Sequence, residues 1–364
     1  MLILAMIVLT SIMAFNQPVY AQTKTQSEKS EIISQSLTKI VNEGNAPGMI
    51  AAIISSEGVI AIGAAGVRKA GTDITITTGD LVHLGSCTKA MTAAMLATLV
   101  AEGKMSWDMK LIEAIPELKQ KIHKDYHKIT LWQLLTHRAG IPKNPTDWNA
   151  YTEKEIRARR LAILEDSFKN EAYYEYGEHN YSNFGYMVAA CMAENITGLS
   201  WETLMRQRVF EPLGMTTAGF GDPDIQNTIA QPWGHHKYGS EWNPSKDYYA
   251  EVLGPAGEIH CSIADWAKFL SLQLTSENAI LDSTYLNKLI EPVGYYAGGW
   301  GVAEHPWAKG IVLSHTGSNE IWYASVMVAP KLNRAFVVVV NGRDFGTTEG
   351  ICNEILGKMI RMEL

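Results

Sequence analysis

From Ala90 to Ala101 the chain carries Met91-Thr92-Ala93-Ala94-Met95-Leu96-Ala97-Thr98-Leu99-Val100, a run that is apolar on nearly every side. A helix of that kind has no face for water, so it must lie centrally between two layers. Its start is equally specific, because Ser86-Cys87-Thr88-Lys89 opens the run directly after a strand-and-turn segment. Residues three apart share a helix face, which stands the Lys89 amine beside the Ser86 hydroxyl. A serine hydroxyl is a poor nucleophile at neutral pH and needs an adjacent base. Lysine serves as that base only where burial or a neighbouring cation lowers its pKa. Cys87 projects about 100° round the helix from Ser86 and is expected to face the core.

Ser-x-x-Lys alone says little, and the chain supplies its own control. Ser36-Leu37-Thr38-Lys39 repeats the pattern in the amphipathic run Glu31 to Glu43, ahead of any strand, where a solvated pair is the expectation. What sets Ser86 apart is its company. Tyr181-Ser182-Asn183 follows the loop Gly177-Glu178-His179-Asn180 and leads into the apolar run Phe184 to Met192, and His315-Thr316-Gly317 follows the strand-like Ile311-Val312-Leu313-Ser314. In that order these three motifs resemble the signatures of the penicillin-recognising serine hydrolases, a family that includes class C β-lactamases, DD-peptidases and related esterases. The resemblance runs from roughly residue 30 to residue 360. It includes the phrases Leu134-Leu135-Thr136-His137-Arg138-Ala139-Gly140-Ile141-Pro142, Phe210-Glu211-Pro212-Leu213-Gly214-Met215 and Gly254-Pro255-Ala256-Gly257. A second Tyr-x-Asn, Tyr285-Leu286-Asn287, reads as an ordinary helix face in the run Leu281 to Ile290. One departure matters: β-lactamases and most penicillin-binding proteins of the family carry Lys-Thr-Gly in the third motif, and here the first position is His315. Some DD-peptidases and esterase-like or aminopeptidase-like members have histidine there, so the fold implication stands and the substrate is what changes. A neutral imidazole attracts a carboxylate less than an ammonium does, and protonation below about pH 6.5 is expected to strengthen it.

Strand patterns at both ends with helical patterns between them imply an α/β (α+β) fold, in which an antiparallel sheet is completed by the N- and C-terminal segments and flanked by helices. Ile50 to Ser55 and Val59 to Ala64 read as one hairpin around Ser56-Glu57-Gly58. Ala329 to Arg334 reads as the turn joining Ile321 to Val328 with Ala335 to Val340, and Gly350 to Leu364 as a closing helix. The α/β part is expected over about 28–104 and 291–364, with a central all-helical insert over about 105–290. The resemblance implies the same β-lactamase/transpeptidase-like arrangement, with the active site in the cleft between the two parts. It also implies acyl transfer through a covalent intermediate on Ser86. Lys89 and Tyr181 would share the general-base work, the order between them being open, and Asn183 would orient Lys89 and meet the substrate amide. The backbone N–H groups of Ser86 and Ser318 would form the oxyanion hole, and His315 and Thr316, next to Gly317, would hold the carboxylate or ester end of the substrate. D-amino-acid peptides of the cell wall are the leading substrate reading. An esterase or β-lactamase on the same scaffold is the alternative. A non-catalytic penicillin-binding sensor is a third, against which intact Ser86, Lys89, Tyr181 and Asn183 count.

At 364 residues and 46% hydrophobic content the chain has ample material for a buried core, and a net charge of −7 with no basic cluster argues against nucleic acid as a partner. Residues 2 to 15 are apolar and are followed by Val19-Tyr20-Ala21, small residues at signal-peptidase positions. A signal peptide over residues 1–21 and export to the periplasm or medium are expected. An uncleaved anchor is the alternative, but an apolar stretch of about 14 residues falls short of the roughly 20 that a membrane span needs. Stable membrane insertion is therefore not expected after cleavage. Ten histidines invite a metal, yet His235 and His236 are adjacent and no His-Glu-x-x-His or Cys-x-x-Cys pair is present, so neither metal nor cofactor is expected. Leu84-Gly85-Ser86-Cys87-Thr88 lacks the first glycine of a Gly-x-Ser-x-Gly elbow, which counts against a Ser-His-Asp hydrolase. Cys87, Cys191, Cys261 and Cys352 are widely spaced, which leaves open one disulfide or small buried roles. Oligomeric state is not legible in the sequence.

Overall fold

The computed structural model describes residues 24–224, 226, 228–246, 251–275 and 279–364, so the expected leader at 1–21 lies outside it. The first helix, Gln26–Asn42, starts earlier than the apolar pattern because Thr25 and Glu28 form a reciprocal capping box. Ile33, Leu37 and Ile40 on one face are buried. The expected hairpin follows as β1 (Gly48–Ser55) and β2 (Gly58–Gly66). After a short β3 (Leu81–His83), one 3-10 turn at Gly85–Cys87 leads into the helix Thr88–Ala101, in which every residue from Thr88 to Leu99 is buried. The middle of the chain holds the helices Ile156–Ser167 and Asn183–Thr197, and the strands β4 (Gly219–Phe220), β5 (Gly234–Tyr238), β6 (Glu241–Ser245) and β7 (Ile259–Ser262). β8 (Gly301–His305), β9 (Gly310–Ser318), β10 (Tyr323–Ala329) and β11 (Arg334–Val340) precede the closing helix Thr348–Glu363.

The main sheet is antiparallel, ordered β2-β1-β11-β10-β9-β8, so strands from the two ends of the chain interleave at its centre. β1 and β11 are buried on both faces, which their unbroken apolar sequences require. Ile50, Ala52 and Ile54 join the large core around the helix Thr88–Ala101, whereas Met49, Ala51 and Ile53 pack against the two terminal helices.

The insert is not purely helical, which corrects the expectation for 105–290. β5 and β6 form a hairpin through Gly239, whose φ of +62° suits glycine, and β7 pairs with β3 and β4. The reason lies outside the insert: β3 carries the chain into the nucleophile turn and needs a partner for its backbone groups. β7 supplies it, and the ladder extends to Leu84, whose N–H donates to the Ile259 carbonyl at 2.9 Å. All four cysteines are free and buried, so the alternative of a disulfide falls away. Among the described residues no helix is long and apolar enough to cross a membrane.

Candidate active site

Ser86 sits in the 3-10 turn and Lys89 one turn further, in the first turn of the buried helix. Lys89 is fully buried, and its Nζ lies 3.1 Å from Ser86 Oγ, 2.8 Å from Asn183 Oδ1 and 2.8 Å from the Ala256 carbonyl. Burial first, with the positive charge of Lys143 adding to it, holds the amine well below its ordinary pKa, against the opposing influence of Cys87. A neutral amine has two protons and one lone pair. Asn183 Oδ1 and the Ala256 carbonyl are pure acceptors and take the two protons, which leaves the lone pair directed at the Ser86 hydroxyl. Cys87, next to the serine, is buried with its thiol pushed up to about 12 by desolvation, so it carries no thiolate near neutrality.

The Ala256 carbonyl belongs to the single helical turn Gly254–Gly257, and the polar side chains of the central helix hold that segment in place. Thr92 Oγ1 donates to the Pro255 carbonyl at 2.8 Å, and Thr88 Oγ1 accepts from the Ile259 N–H at 3.1 Å. Asn183 begins the helix Asn183–Thr197, capped by Ser182, whose Oγ accepts from the Gly185 N–H at 2.9 Å. The Asn183 amide is oriented from its far side by Nδ2, which donates to Asn144 Oδ1 at 2.9 Å. Tyr181 precedes the cap, and Lys89 Nζ lies 4.8 Å from its ring centre.

The third motif lies on β9, against the nucleophile turn. Gly317 and Gly85 meet face to face: a Cβ on Gly317 would stand 2.8 Å from the Ser86 nitrogen, and one on Gly85 would stand 2.6 Å from the Gly317 carbonyl carbon. Only two glycines allow that approach, which brings the backbone nitrogens of Ser86 and Ser318 to the same seam. Thr316 is exposed and His315 half-buried. His315 Nε2 is 2.9 Å from the Tyr296 hydroxyl, and its Nδ1 is 2.6 Å from the Thr316 carbonyl. A carbonyl only accepts, so the proton lies on Nδ1 and the Tyr296 hydroxyl donates to Nε2. Burial chiefly, helped by Lys89, pushes the imidazole down to about 3. Those surroundings oppose the gain of charge below about pH 6.5 that the free side chain would show.

The structure thus brings Ser86, Lys89, Tyr181, Asn183, His315, Thr316, Gly317 and Ser318 close together. It leaves the decoys elsewhere: Lys39 is exposed beside Glu43 on the first helix, and Tyr285 and Asn287 lie on the helix Ser283–Leu289. His235 is buried, its Nε2 accepting from the Ala70 N–H at 2.9 Å, and among the described residues no metal-ligating cluster occurs. Two neighbours of these residues escaped sequence reasoning, the Ala256 carbonyl and Tyr296. Ala256 stands within a phrase singled out above, but a backbone acceptor has no sequence signature.

The profile of the family described as Beta-lactamase matches residues 33–355. Among curated relatives, Protein flp of Staphylococcus aureus (strain N315) is 23% identical over 331 residues, which is 88% of this chain and 64% of that protein. Beta-lactamase-like protein 2 of Dictyostelium discoideum is 24% identical over 259 residues, 69% of this chain and 45% of that one. The chain therefore spans less than two thirds of the length of these relatives. Of solved structures, the octameric penicillin-binding protein homologue from Pyrococcus abyssi superposes with a TM-score of 0.75 at 21% identity, covering 91% of this chain and 77% of that one. The D-alanine carboxypeptidase AmpC from Burkholderia cenocepacia gives 0.74 at 18% identity, covering 91% and 99%. Likeness at these identities establishes a shared fold.

Proposed function

This chain belongs to the beta-lactamase family, and from that premise we propose that it is an exported serine hydrolase working through an acyl-enzyme on Ser86, acting on D-amino-acid peptides or related amides. The observation that carries the reading is the buried Lys89 amine, 3.1 Å from Ser86 Oγ with its two protons engaged by Asn183 and Ala256. In acylation the Ser86 oxygen bonds to the substrate carbonyl carbon while its proton passes to Lys89 or Tyr181. The N–H groups of Ser86 and Ser318 receive the oxyanion, the C–N bond breaks, and the proton is returned to the leaving amine. Water then attacks the ester, activated through Tyr181, whose hydroxyl passes its own proton to Lys89 as it takes the water's, and return of that proton to the serine oxygen frees Ser86. Kinship of fold with a D-alanine carboxypeptidase supports the peptide substrate.

A second reading, a carboxylesterase or β-lactamase on the same scaffold, is favoured by His315. Its neutral ring has both nitrogens engaged inside the protein, so it offers no charge to a substrate carboxylate. A fluorescent penicillin followed over time separates the readings. Lasting label on Ser86 is expected for the peptidase and transient label for a β-lactamase. No label, together with turnover of p-nitrophenyl acetate, identifies an esterase. Absence of both label and turnover would contradict the hydrolase reading.

A further inference from the structure

We infer that His137 is a positioning residue for Tyr181, bracketing it by hydrogen bonds to the residues on either side. The inference rests on the reading of Tyr181 as a base on Ser86. His137 lies in the phrase Leu134–Pro142, has a φ of +60° and is 98% buried, with 2% of its surface exposed. That left-handed backbone is unfavourable for a residue with a side chain. Its carbonyl accepts from the Asn180 N–H at 2.8 Å, and its ring Nδ1 accepts from the Ser182 N–H at 3.1 Å. Residues 180 and 182 are thus both fastened to residue 137, and the Tyr181 ring between them rests 4.4 Å from the imidazole, centre to centre.

Because Nδ1 accepts, the neutral ring carries its proton on Nε2. That N–H is buried and has no hydrogen-bond partner among the described residues. Its surroundings are rings, with Tyr296 at 4.6 Å and Tyr186 at 5.5 Å. A residue kept only to fill space would be apolar and would avoid both the strained backbone and the unmet donor. What His137 does that an apolar residue cannot is accept from Ser182 while supporting the Tyr181 ring. Neighbouring carbonyls extend the same template: Ser182 Oγ donates to the Pro142 carbonyl at 2.7 Å, and the Asn183 N–H to the Lys143 carbonyl at 2.8 Å.

The test is the rate at which a fluorophosphonate labels Ser86 in the full-length protein, measured for wild type, Tyr181→Phe, His137→Phe, His137→Gly, His137→Asn and the double variant Tyr181→Phe/His137→Phe. His137→Phe keeps a ring and loses the acceptor. His137→Gly accepts the left-handed backbone and loses the ring. Both are expected to slow labelling on the order of 10²-fold, as a displaced base would. His137→Asn, which tolerates φ > 0 and presents Oδ1 to Ser182, is expected to stay within a few-fold of wild type. In the Tyr181→Phe background, His137→Phe should add no further loss. Normal labelling in either His137→Phe or His137→Gly while Tyr181→Phe is slow would overturn the positioning role alone, as would an undiminished loss in the double variant. Normal labelling in Tyr181→Phe would overturn the reading of Tyr181 itself, and the positioning role with it.

Discussion

A lysine amine in water is protonated at neutral pH and has nothing to offer a serine. Lys89 differs because the helix that carries it is buried on all sides and its two acceptors carry no formal charge to favour an ammonium. The adjoining thiol feels the same desolvation in the opposite direction, which keeps Cys87 from forming a thiolate near neutrality. His315 is the residue at which burial changes the chemistry expected from sequence. With the imidazole pushed down to about 3, its folded form keeps the Nδ1 proton and resists taking a second. The ratio of kcat/KM for a carboxylated substrate to that for an uncharged one should therefore show no step from His315 between about pH 5.5 and 8. His315→Lys should raise that ratio on the order of tenfold, from one charge-assisted hydrogen bond of about 1.5 kcal/mol. A step near pH 6.5 in the wild type would show that the ring is open to solvent.

Among the elements, the seam between the nucleophile turn and β9 is the most exacting. Gly85 has a φ of +50°, and a methyl group there would press on the Gly317 carbonyl carbon at 2.6 Å. Gly85→Ala is expected to cost about 1–3 kcal/mol of stability in strain and to slow turnover on the order of 10²-fold by parting the seam. Gly103 has a φ of +69° with nothing within 4 Å of an added Cβ. Gly103→Ala should therefore show strain of the same kind in thermal unfolding with turnover unchanged. If both variants turn over normally, the close approach does not serve the oxyanion site. Which elements the sequence disclosed follows from their physics. The central helix, the hairpins β1–β2 and β10–β11 and the closing helix bury continuous or periodic apolar runs, and those runs are visible in one dimension. β4 has two residues and β7 four; such strands exist through their partners, and no local pattern announces them. Of the site, side chains with a chemical identity were legible, namely Ser86, Lys89, Tyr181, Asn183 and the His315 segment. The Ala256 carbonyl, 167 residues from Lys89, and the His137 ring, 45 from Ser182, enter only through tertiary approach.

For the molecule as a whole, buried titratable groups set its stability against pH. His83 and His235 are buried and His315 half-buried, and desolvation pushes them down to about 3, about 4 and about 3. Below about pH 6.5 the unfolded chain binds protons that the folded one refuses, so stability falls as pH drops from there toward the folded values. Glu258 works in the opposite sense: burial, against the pull of Arg160, raises its carboxyl to about 8. Folded Glu258 keeps a proton that the unfolded chain releases above about pH 4.3, so stability also falls as pH rises through that window to about 8. The melting temperature should accordingly peak in mildly acidic solution, and Glu258→Gln should flatten the alkaline side and steepen the fall between about pH 6.5 and 4.3. An unchanged alkaline side would place Glu258 in water. The central claim, that Ser86 is a nucleophile made reactive by Lys89, is tested most directly by mass spectrometry of the protein after fluorophosphonate treatment. One adduct is expected, on the peptide that contains Ser86, absent from Ser86→Ala and formed more slowly in Lys89→Ala by on the order of 10³-fold. An adduct that persists in Ser86→Ala, falls on Cys87 or Ser36, or forms at the wild-type rate in Lys89→Ala would contradict it.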